Sequence, residues 1–342
     1  MKTILFCNLP YAFSILKPLA DELEERGWEY LWYVPSSLVD AFPYKPMPFS
    51  SRIKDLEEFQ SDAIFVPGND IPYWIHGLKI QVFHGLAGEK KGHFKIRNYF
   101  DLYLTQGPYF TKRFQELSKK YKNFDVIETG WCKLDTLYTL GEETLSTKKE
   151  FLEKHQVKHI VLYAPTFSPS LTSGIDLLDT IKSLSSRDDI LVIIKFHDKM
   201  DRVIKEKYKA LKSKNLIISD EKDITPLLQI SDMMISDTSS VVYEFTLLDK
   251  PVITLNNISQ NITWKNVSNK AEVLSEVLDI LNGNDDHKEQ REETIKQYHP
   301  YNDGKSAARM LDSAIKHIKE YGVPEKRALP LLRKWKMHKK YR

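Results

Sequence analysis

Residues 2–27 of this 342-residue chain read KTILFCNLPYAFSILKPLADELEERG. The apolar run at 2–8 predicts a β-strand, and the segment 10–26 predicts a helix that Gly27 ends. A strand followed at once by an amphipathic helix is the repeating unit of parallel sheets covered by helices. The stretch therefore favours an α/β fold.

The same alternation of apolar runs and amphipathic segments continues along the rest of the chain. It predicts two Rossmann-like domains, at 1–145 and 146–320, followed by a basic tail at 321–342. The polar segment 141–150 is the predicted hinge, and residues 269–320 are expected to form consecutive helices. Strands are predicted near 2–8, 29–34, 63–67, 79–83, 101–105 and 125–129, and then near 159–164, 189–196, 215–219, 233–236 and 251–255.

Composition limits the classes of protein to consider. Hydrophobic residues make up 42% of the chain and charged residues 28%, which is typical of a globular protein. No apolar run reaches the roughly 18 residues that a membrane span needs. Cys7 and Cys132 are the only cysteines, which excludes a disulfide scaffold and favours a reducing cytoplasm.

No motif for a metal or a cofactor is present. The triplet Gly304-Lys305-Ser306 resembles the end of a phosphate loop, but His299 stands where that loop needs its first glycine. Dinucleotide, zinc-protease and nucleophile-elbow motifs are likewise absent from the sequence. We therefore expect chemistry that uses neither a metal nor a cofactor.

The net charge of +3 is unevenly distributed. Residues 321–342 hold eight Lys and Arg against one Glu, so the tail carries +7 and the remaining chain −4. An acidic body argues against a nucleic-acid partner, whereas a basic tail with leucines and Trp335 suits an anionic membrane surface. A solvated terminus is the alternative.

A run of small polar residues, Ser236-Asp237-Thr238-Ser239-Ser240, lies between a predicted strand and a helix-like stretch. Such a turn presents backbone N–H groups, hydroxyls and a helix N-terminus, which together suit a phosphate. Plain helix capping is the alternative, but a cap needs one residue and here five run together.

His84 follows the predicted strand 79–83 and precedes a loop that contains Gly85, Lys90 and Lys91. An imidazole has a pKa of about 6.5 and can take a proton from a hydroxyl near neutral pH, so His84 is a candidate general base. A histidine bonded to a backbone carbonyl is the alternative.

Cationic side chains follow two further elements. Lys195 and His197 are two residues apart at the end of a strand, and they could neutralise charge on a phosphate during transfer. Lys305 and Arg309 are four apart on a helix that Asp303 opens, and they form a second candidate anion site. A snorkelling lysine and a capped surface helix are the respective alternatives.

Five motifs occur in a fixed order: His84-Gly85 with its downstream lysines, Tyr163-Ala-Pro-Thr166, Lys195-Phe-His197, Ser236–Ser240, and Asp303–Ser306 with Arg309. In these motifs the chain resembles the CDP-glycerol glycerophosphotransferase family, which includes the primases and polymerases of wall teichoic acid. The resemblance spans about residues 80–310. It implies a GT-B architecture, in which two Rossmann-like domains with parallel sheets face a central cleft.

The resemblance implies a transferase that moves a polyol phosphate, foremost glycerol phosphate from CDP-glycerol, onto a hydroxyl of a saccharide or lipid-linked saccharide and releases CMP. His84 and His197 would be the catalytic residues, and the acceptor would lie beside Gly85, Lys90 and Lys91. Glu244 would accept bonds from the ribose. The donor and its phosphates would be held by this residue together with Thr166, Lys195, Ser236, Asp237, Thr238, Ser239, Ser240, Asp303, Lys305 and Arg309.

Two alternatives remain open at this stage. One is a GT-B glycosyltransferase or a UDP-sugar 2-epimerase, since these also place polar turns around a nucleotide diphosphate. The other is a non-catalytic module that binds the membrane surface. The first interpretation places the enzyme in the cytoplasm, peripheral on the inner face of the cell membrane, which it contacts through 321–342.

Overall fold

The computed structural model describes residues 1–86, 88, 92–139, 142–221, 223–260, 262–325 and 329–342. Lys90 and Lys91, predicted to lie on the acceptor side, fall outside the described residues. The chain forms two compact units. Unit 1 consists of Met1–Thr136 and Gln297–Arg342, and unit 2 consists of Leu137–Lys296.

Unit 1 is built on a seven-stranded sheet of the described residues, with every pairing parallel. Its strands are β1 Thr3–Phe6, β2 Tyr30–Tyr33, β3 Phe49–Ser50, β4 Ala63–Val66, β5 Leu78–Gln81, β6 Leu102–Thr105 and β7 Asp125–Glu128. The strand order is β3-β2-β1-β4-β5-β6-β7. β1, β4, β5 and β6 are buried along their whole lengths, because helices cover both faces of a parallel sheet.

Unit 2 repeats the plan with a six-stranded parallel sheet in the described part of the chain. Its strands are β8 His159–Tyr163, β9 Ile190–Ile194, β10 Leu216–Ile218, β11 Met233–Ser236, β12 Val252–Leu255 and β13 Lys265–Val267. The order is β10-β9-β8-β11-β12-β13. Apolar side chains of β8, β9 and β11 pack with those of the covering helices into one core.

Helices connect and cover the strands of both units. They are α1 Ala12–Glu25, α2 Ile53–Phe59, α3 Pro108–Tyr121, α4 Asp135–Tyr138, α5 Glu142–His155, α6 Leu178–Ser185, α7 Arg202–Lys209, α8 Thr225–Ile230, α9 Val241–Thr246, α10 Glu272–Leu281, α11 Lys288–Tyr298, α12 Ser306–Tyr321 and α13 Leu331–Tyr341. None of them, within the residues described, combines the length and apolarity that crossing a membrane requires.

The sequence predicted the α/β class, both parallel sheets and the strands of their interiors, and these predictions are confirmed. It missed β3 and β13, which are edge strands of two and three residues. The predicted hinge at 141–150 is wrong, because residues from Glu142 onward belong to α5. Lys148 of this helix pairs with Asp232 of unit 2 at 2.6 Å.

Residues 297–320 belong to unit 1, which corrects their predicted place in the C-terminal domain. Three contacts hold α12 there. The carboxylate of Asp135 accepts from the backbone N–H groups of Ser306 and Ala307 at 2.8 and 2.7 Å, and His317 lies 2.9 Å from Asp125. The preceding segment packs so closely that a Cβ on Gly107 would lie 2.4 Å from the carbonyl oxygen of Tyr298.

The basic tail forms helix α13, which docks on unit 1. Met337 is buried, His338 stacks on Trp74 with ring centroids 4.6 Å apart, and the Tyr341 ring meets Phe6 and Tyr33 edge-on. Helix α13 is therefore a packed element, and the alternative of a solvated terminus does not apply to it.

Candidate functional site

The order of the strands defines where each sheet can receive a ligand. In unit 1 the order reverses between β1 and β4, and in unit 2 it reverses between β8 and β11. Open parallel sheets bind ligands at the carboxyl ends of the strands beside such a reversal. In unit 2 the motif residues Thr166, Lys195 and Ser239 all follow the carboxyl ends of β8, β9 or β11.

His84 follows β5 in unit 1 and is exposed. Its Nδ1 atom lies 3.0 Å from the carbonyl oxygen of Pro67. Because a carbonyl oxygen only accepts, Nδ1 carries the proton, and Nε2 of the neutral ring keeps its lone pair. The sequence left two alternatives for His84, a histidine bonded to a backbone carbonyl and a general base. This geometry is compatible with both, since Nδ1 makes the bond and Nε2 keeps the lone pair.

The backbone around His84 is shaped to present the ring. Phe83 has a φ of 62°, a left-handed conformation that is unusual for an aromatic residue and turns the chain directly before His84. The ring of His84 stacks on Tyr11 at 5.1 Å. The Gly85 carbonyl accepts a hydrogen bond of 3.1 Å from Gln106 Nε2. His84 is therefore held by contacts on both sides.

His197 follows β9 in unit 2 and takes the opposite tautomer. Its Nδ1 atom accepts a hydrogen bond from the backbone N–H of Lys199 at 3.1 Å, so the proton of the neutral ring sits on Nε2. Partial burial lowers the pKa of His197, and the nearby Lys199 and Lys195 lower it further against the opposing effect of Asp198. The neutral ring therefore offers a hydrogen-bond donor.

Lys195 and the ring of Phe167 frame His197. Lys195 is half-buried, and its Nζ donates to the carbonyl of Phe196 at 3.1 Å. Phe167 packs on the His197 ring with centroids 4.3 Å apart. The pairing of Lys195 with His197, predicted from their spacing, thus gives a cation beside a neutral donor rather than two cations.

Asp237 and Ser236 are structural residues, which corrects their predicted role as phosphate ligands. Both are buried. Asp237 Oδ1 accepts from the Thr166 N–H at 2.9 Å, and Oδ2 accepts from the N–H and hydroxyl of Ser173 at 2.8 and 2.9 Å. Ser236 donates to the Ala164 carbonyl at 2.7 Å. Burial raises the pKa of the Asp237 carboxyl, while these donors oppose the rise.

The rest of the polar run remains accessible. Thr238 and Ser239 are half-buried and Ser240 is exposed. The Thr238 hydroxyl accepts from the Ile258 N–H at 3.2 Å and keeps its own proton to donate. Ser240 begins α9 without a side-chain cap bond, and α9 has only six residues. The hydroxyls of this turn are therefore accessible to a ligand, and Glu244 lies half-buried one turn into α9.

The Asp303 motif lies in unit 1. Arg309 pairs with Asp303 at 2.7 Å, donates to the Thr129 carbonyl at 2.8 Å, and covers the Tyr301 ring at 4.4 Å. Arg309 thus belongs to unit 1 and not to the C-terminal domain in which the sequence placed it, and its role as a donor ligand stays a prediction. Lys305 is exposed one turn before Arg309.

Sequence reasoning missed the two loops at the reversal in unit 1. Asn8 and Tyr11 follow β1, and Pro67 and Asp70 follow β4. The strands predicted at 2–8 and 63–67 end at or shortly before these residues, which is the signal that was available. Among all the described residues, no group of three or more His, Cys, Asp or Glu side chains is arranged to hold a metal ion.

Comparison with known proteins gives a family match. Residues 77–316 match the family described as CDP-glycerol:poly(glycerophosphate) glycerophosphotransferase. A teichoic acid poly(glycerol phosphate) polymerase of Bacillus spizizenii is 25% identical over 70% of this chain and 68% of its own length. A teichoic acid glycerol-phosphate primase of the same organism is 32% identical over 39% of this chain, but only 34% of its own length is covered.

Solved structures share the fold. The wall teichoic acid polymerase TagF superposes with a TM-score of 0.64 at 16% identity, covering 94% of this chain and 89% of that one. A UDP-N-acetylglucosamine 2-epimerase of Listeria monocytogenes gives 0.67 at 16% identity, covering 96% and 99%. Each unit therefore has the Rossmann-like architecture of the GT-B class.

The buried position of Asp237 predicts a loss of stability on substitution. In Asp237→Asn an NH2 group, which can only donate, replaces a carboxylate oxygen that accepts from N–H and O–H groups. We therefore expect the free energy of unfolding to fall by about 2 to 4 kcal/mol. The double variant Ser239→Ala/Ser240→Ala should stay within about 0.5 kcal/mol of the parent. Urea denaturation followed by circular dichroism measures both, and equal stability of the two variants would contradict the assignment.

Proposed function

The chain belongs to the CDP-glycerol:poly(glycerophosphate) glycerophosphotransferase family, and on this premise we propose that it transfers a polyol phosphate from a CDP-activated donor. The acceptor is a hydroxyl of a saccharide or lipid-linked saccharide of a cell-surface polymer, and CMP leaves. CDP-glycerol is the first donor to test, because the family description names it and TagF has been soaked with CDPG. CDP-ribitol is the second, since a Staphylococcus aureus relative is a ribitol-phosphate polymerase.

The observation that carries the proposal is the orientation of His84. Its Nδ1–H is committed to the Pro67 carbonyl, so the basic Nε2 is left for an acceptor hydroxyl at the carboxyl edge of unit 1. In the proposed reaction this atom takes the hydroxyl proton as the oxygen attacks the β-phosphorus. The new P–O bond forms while the bond from that phosphorus to the CMP oxygen breaks.

Unit 2 supplies the donor side of the proposal. Phosphoryl transfer demands mainly positioning and charge stabilisation, which hydrogen-bond donors and cations provide. We assign these tasks to the Nε2–H of His197, the ammonium of Lys195 and the hydroxyls of Ser239 and Ser240, with those of Thr166 and Thr238 beside them. Glu244 is the proposed partner of the ribose. Every group in this set works without a cofactor.

A UDP-sugar 2-epimerase is the runner-up, because a protein of that description shares the fold at a TM-score of 0.67. At 16% identity this likeness concerns the fold alone. The family match over residues 77–316 and the tautomer of His84 favour the transferase. A non-catalytic membrane module would have no use for the orientation of His84.

We also propose that the protein works on the inner face of the cell membrane. The inner face of α13 is docked, but its outer face exposes Leu331, Leu332 and Trp335 at 82%, 76% and 60%. Lys336 is exposed beside them. Each basic residue close to anionic headgroups contributes about 1 kcal/mol of attraction, and the apolar side chains add burial in the headgroup region.

The base assignment is tested with His84→Asn. The asparagine amide can still donate to the Pro67 carbonyl, but it has no basic nitrogen in place of Nε2. We expect turnover of CDP-glycerol with an acceptor to fall by about 10²-fold or more, with donor affinity within a few-fold. His155→Asn is the matched control, since His155 Nδ1 also bonds a backbone carbonyl, that of Lys214 at 3.0 Å. Unchanged turnover in a folded His84→Asn variant would remove His84 from the mechanism.

The donor site is tested with Ser239→Ala/Ser240→Ala. Hydrogen bonds to a charged group contribute roughly 1.5–3 kcal/mol each, so we expect at least a tenfold loss of CDP-glycerol affinity by calorimetry. Ser186→Ala at the end of α6 removes an exposed hydroxyl away from the strand ends and should change nothing. Full affinity in the double variant would place the donor elsewhere.

The membrane surface is tested with Leu331→Ser/Trp335→Ser. We expect clearly weaker sedimentation with anionic liposomes at low salt, because apolar contacts and ordered lysines are lost together. Activity on a short soluble acceptor should persist. Val203→Ser, which removes a side chain of similar exposure, 64%, from α7, is the control. If the double variant sedimented like the parent, α13 would not be the contact surface.

A further inference from the structure

The C-terminus of the chain occupies the strand reversal of unit 1. The hydroxyl of Tyr341 donates to Asp70 Oδ1 at 2.7 Å, and Lys340 Nζ lies 2.8 and 2.9 Å from the two carboxylate oxygens. Asn8, in the loop after β1, donates to the same Oδ1 at 3.4 Å. Burial and the Asp70 charge raise the pKa of Tyr341, so its phenol keeps the proton that it donates. One carboxylate thus joins α13 to the loops of β1 and β4.

The loop that Asp70 belongs to also orients His84. Its first residue is Pro67, whose carbonyl accepts from His84 Nδ1 at 3.0 Å and from Gln81 Nε2 at 3.1 Å. The loop packs closely on the loop after β1, since a Cβ on Gly68 would lie 2.7 Å from the amide oxygen of Asn8. The tail therefore holds Asp70, and Pro67, three residues earlier in the same loop, sets the tautomer of the candidate base.

We propose that Tyr341, Lys340 and Asp70 are positioning residues for His84, so that the docked end of α13 is required to hold the imidazole with its Nε2 lone pair free. Without its contacts at Asp70, this part of the loop could withdraw the Pro67 carbonyl, and Nδ1 would lose the acceptor that fixes its proton. Tyr11 gives the second link, since it stacks on His84 and shares its loop with Asn8. The catalytic consequence rests on the proposed function, whereas the geometric consequence does not.

Point variants can break the contacts at Asp70 without undocking the helix. Three contacts anchor α13 without Asp70: the buried Met337, the stack of His338 on Trp74, and Arg342 over the Trp74 ring at 4.9 Å. Tyr341→Phe removes one oxygen atom and keeps the ring against Phe6 and Tyr33. Truncation of the tail would instead remove every anchor together, so it cannot separate docking from positioning.

The direct test reads the tautomer of His84. Long-range ¹H–¹⁵N spectra of the histidine-labelled full chain distinguish the two ring nitrogens, and His84→Asn identifies the signals by their loss. We expect the parent His84 to show a single tautomer with the proton on Nδ1. In Tyr341→Phe and in Asp70→Asn we expect a mixture of tautomers or exchange broadening at His84, with His197 unchanged.

The kinetic test uses the same variants with CDP-glycerol and a soluble acceptor. We expect kcat to fall about tenfold in Tyr341→Phe and in Lys340→Ala, with the KM for the donor within twofold, since unit 2 is untouched. Lys339→Ala is the matched control: Lys339 is the neighbour of Lys340, but its Nζ lies over the Trp335 ring at 5.5 Å rather than at Asp70. It should keep the parent kcat.

The outcomes separate this inference from the proposed function. Parent-like His84 spectra in both Tyr341→Phe and Asp70→Asn overturn the positioning role, whatever the activity. A rise in kcat with unchanged spectra also overturns it, because the tail would then be an obstacle to the acceptor. Altered spectra in a protein that never releases CMP from CDP-glycerol support the positioning role and defeat the proposed reaction.

Discussion

The reversal of strand order inside each parallel sheet is the constraint on which the rest of the structure depends. Neighbouring connections leave β1 and β4, and likewise β8 and β11, in opposite directions, so a crevice opens at the carboxyl ends between them. Backbone groups there lack ladder partners and must find others. In unit 2 the Asp237 carboxylate satisfies the N–H groups of Thr166 and Ser173. In unit 1 Asp70 serves instead as the meeting point of two loops and the tail.

The two candidate catalytic histidines show how a backbone contact decides chemistry. His84 donates through Nδ1 to a carbonyl, and His197 accepts through Nδ1 from an N–H. The same side chain is therefore left with a lone pair in unit 1 and with a proton in unit 2. Burial supports the second state, since protonating His197 on Nδ1 would cost both desolvation and the bond from Lys199. The ring of His84 can therefore accept a proton, and the neutral ring of His197 can donate a hydrogen bond.

The sequence predicts much of this fold and less of the site. Interior strands such as β4 and β9 are continuous apolar runs, so periodicity finds them, whereas the two-residue β3 carries no pattern. The polar run after β11 divides sharply: Asp237 is buried and Ser240 is exposed three residues later. Successive side chains of this turn point in different directions, and the composition of the run does not predict which of them are buried. Residues 297–320 were placed with the wrong unit because amphipathicity shows that a helix packs, and not what it packs against.

The basic tail shows the same limit from the side of charge. Its surplus of lysine and arginine indicates a surface for anionic lipid. The number of lysines, however, does not tell whether a given lysine faces solvent or pairs with an aspartate. In the structure Lys340 pairs with Asp70, Arg342 covers Trp74, and Arg333 lies 5.8 Å from the Tyr99 ring, so part of the charge is used in docking. Leu331, Leu332 and Trp335 remain outside. Helix α13 thus has an exposed apolar face and a docked end. The docked end contacts Asp70, which lies in the same loop as Pro67, the residue whose carbonyl accepts from His84. A ligand bound to the exposed face of α13 would therefore act on a helix that is linked to this loop.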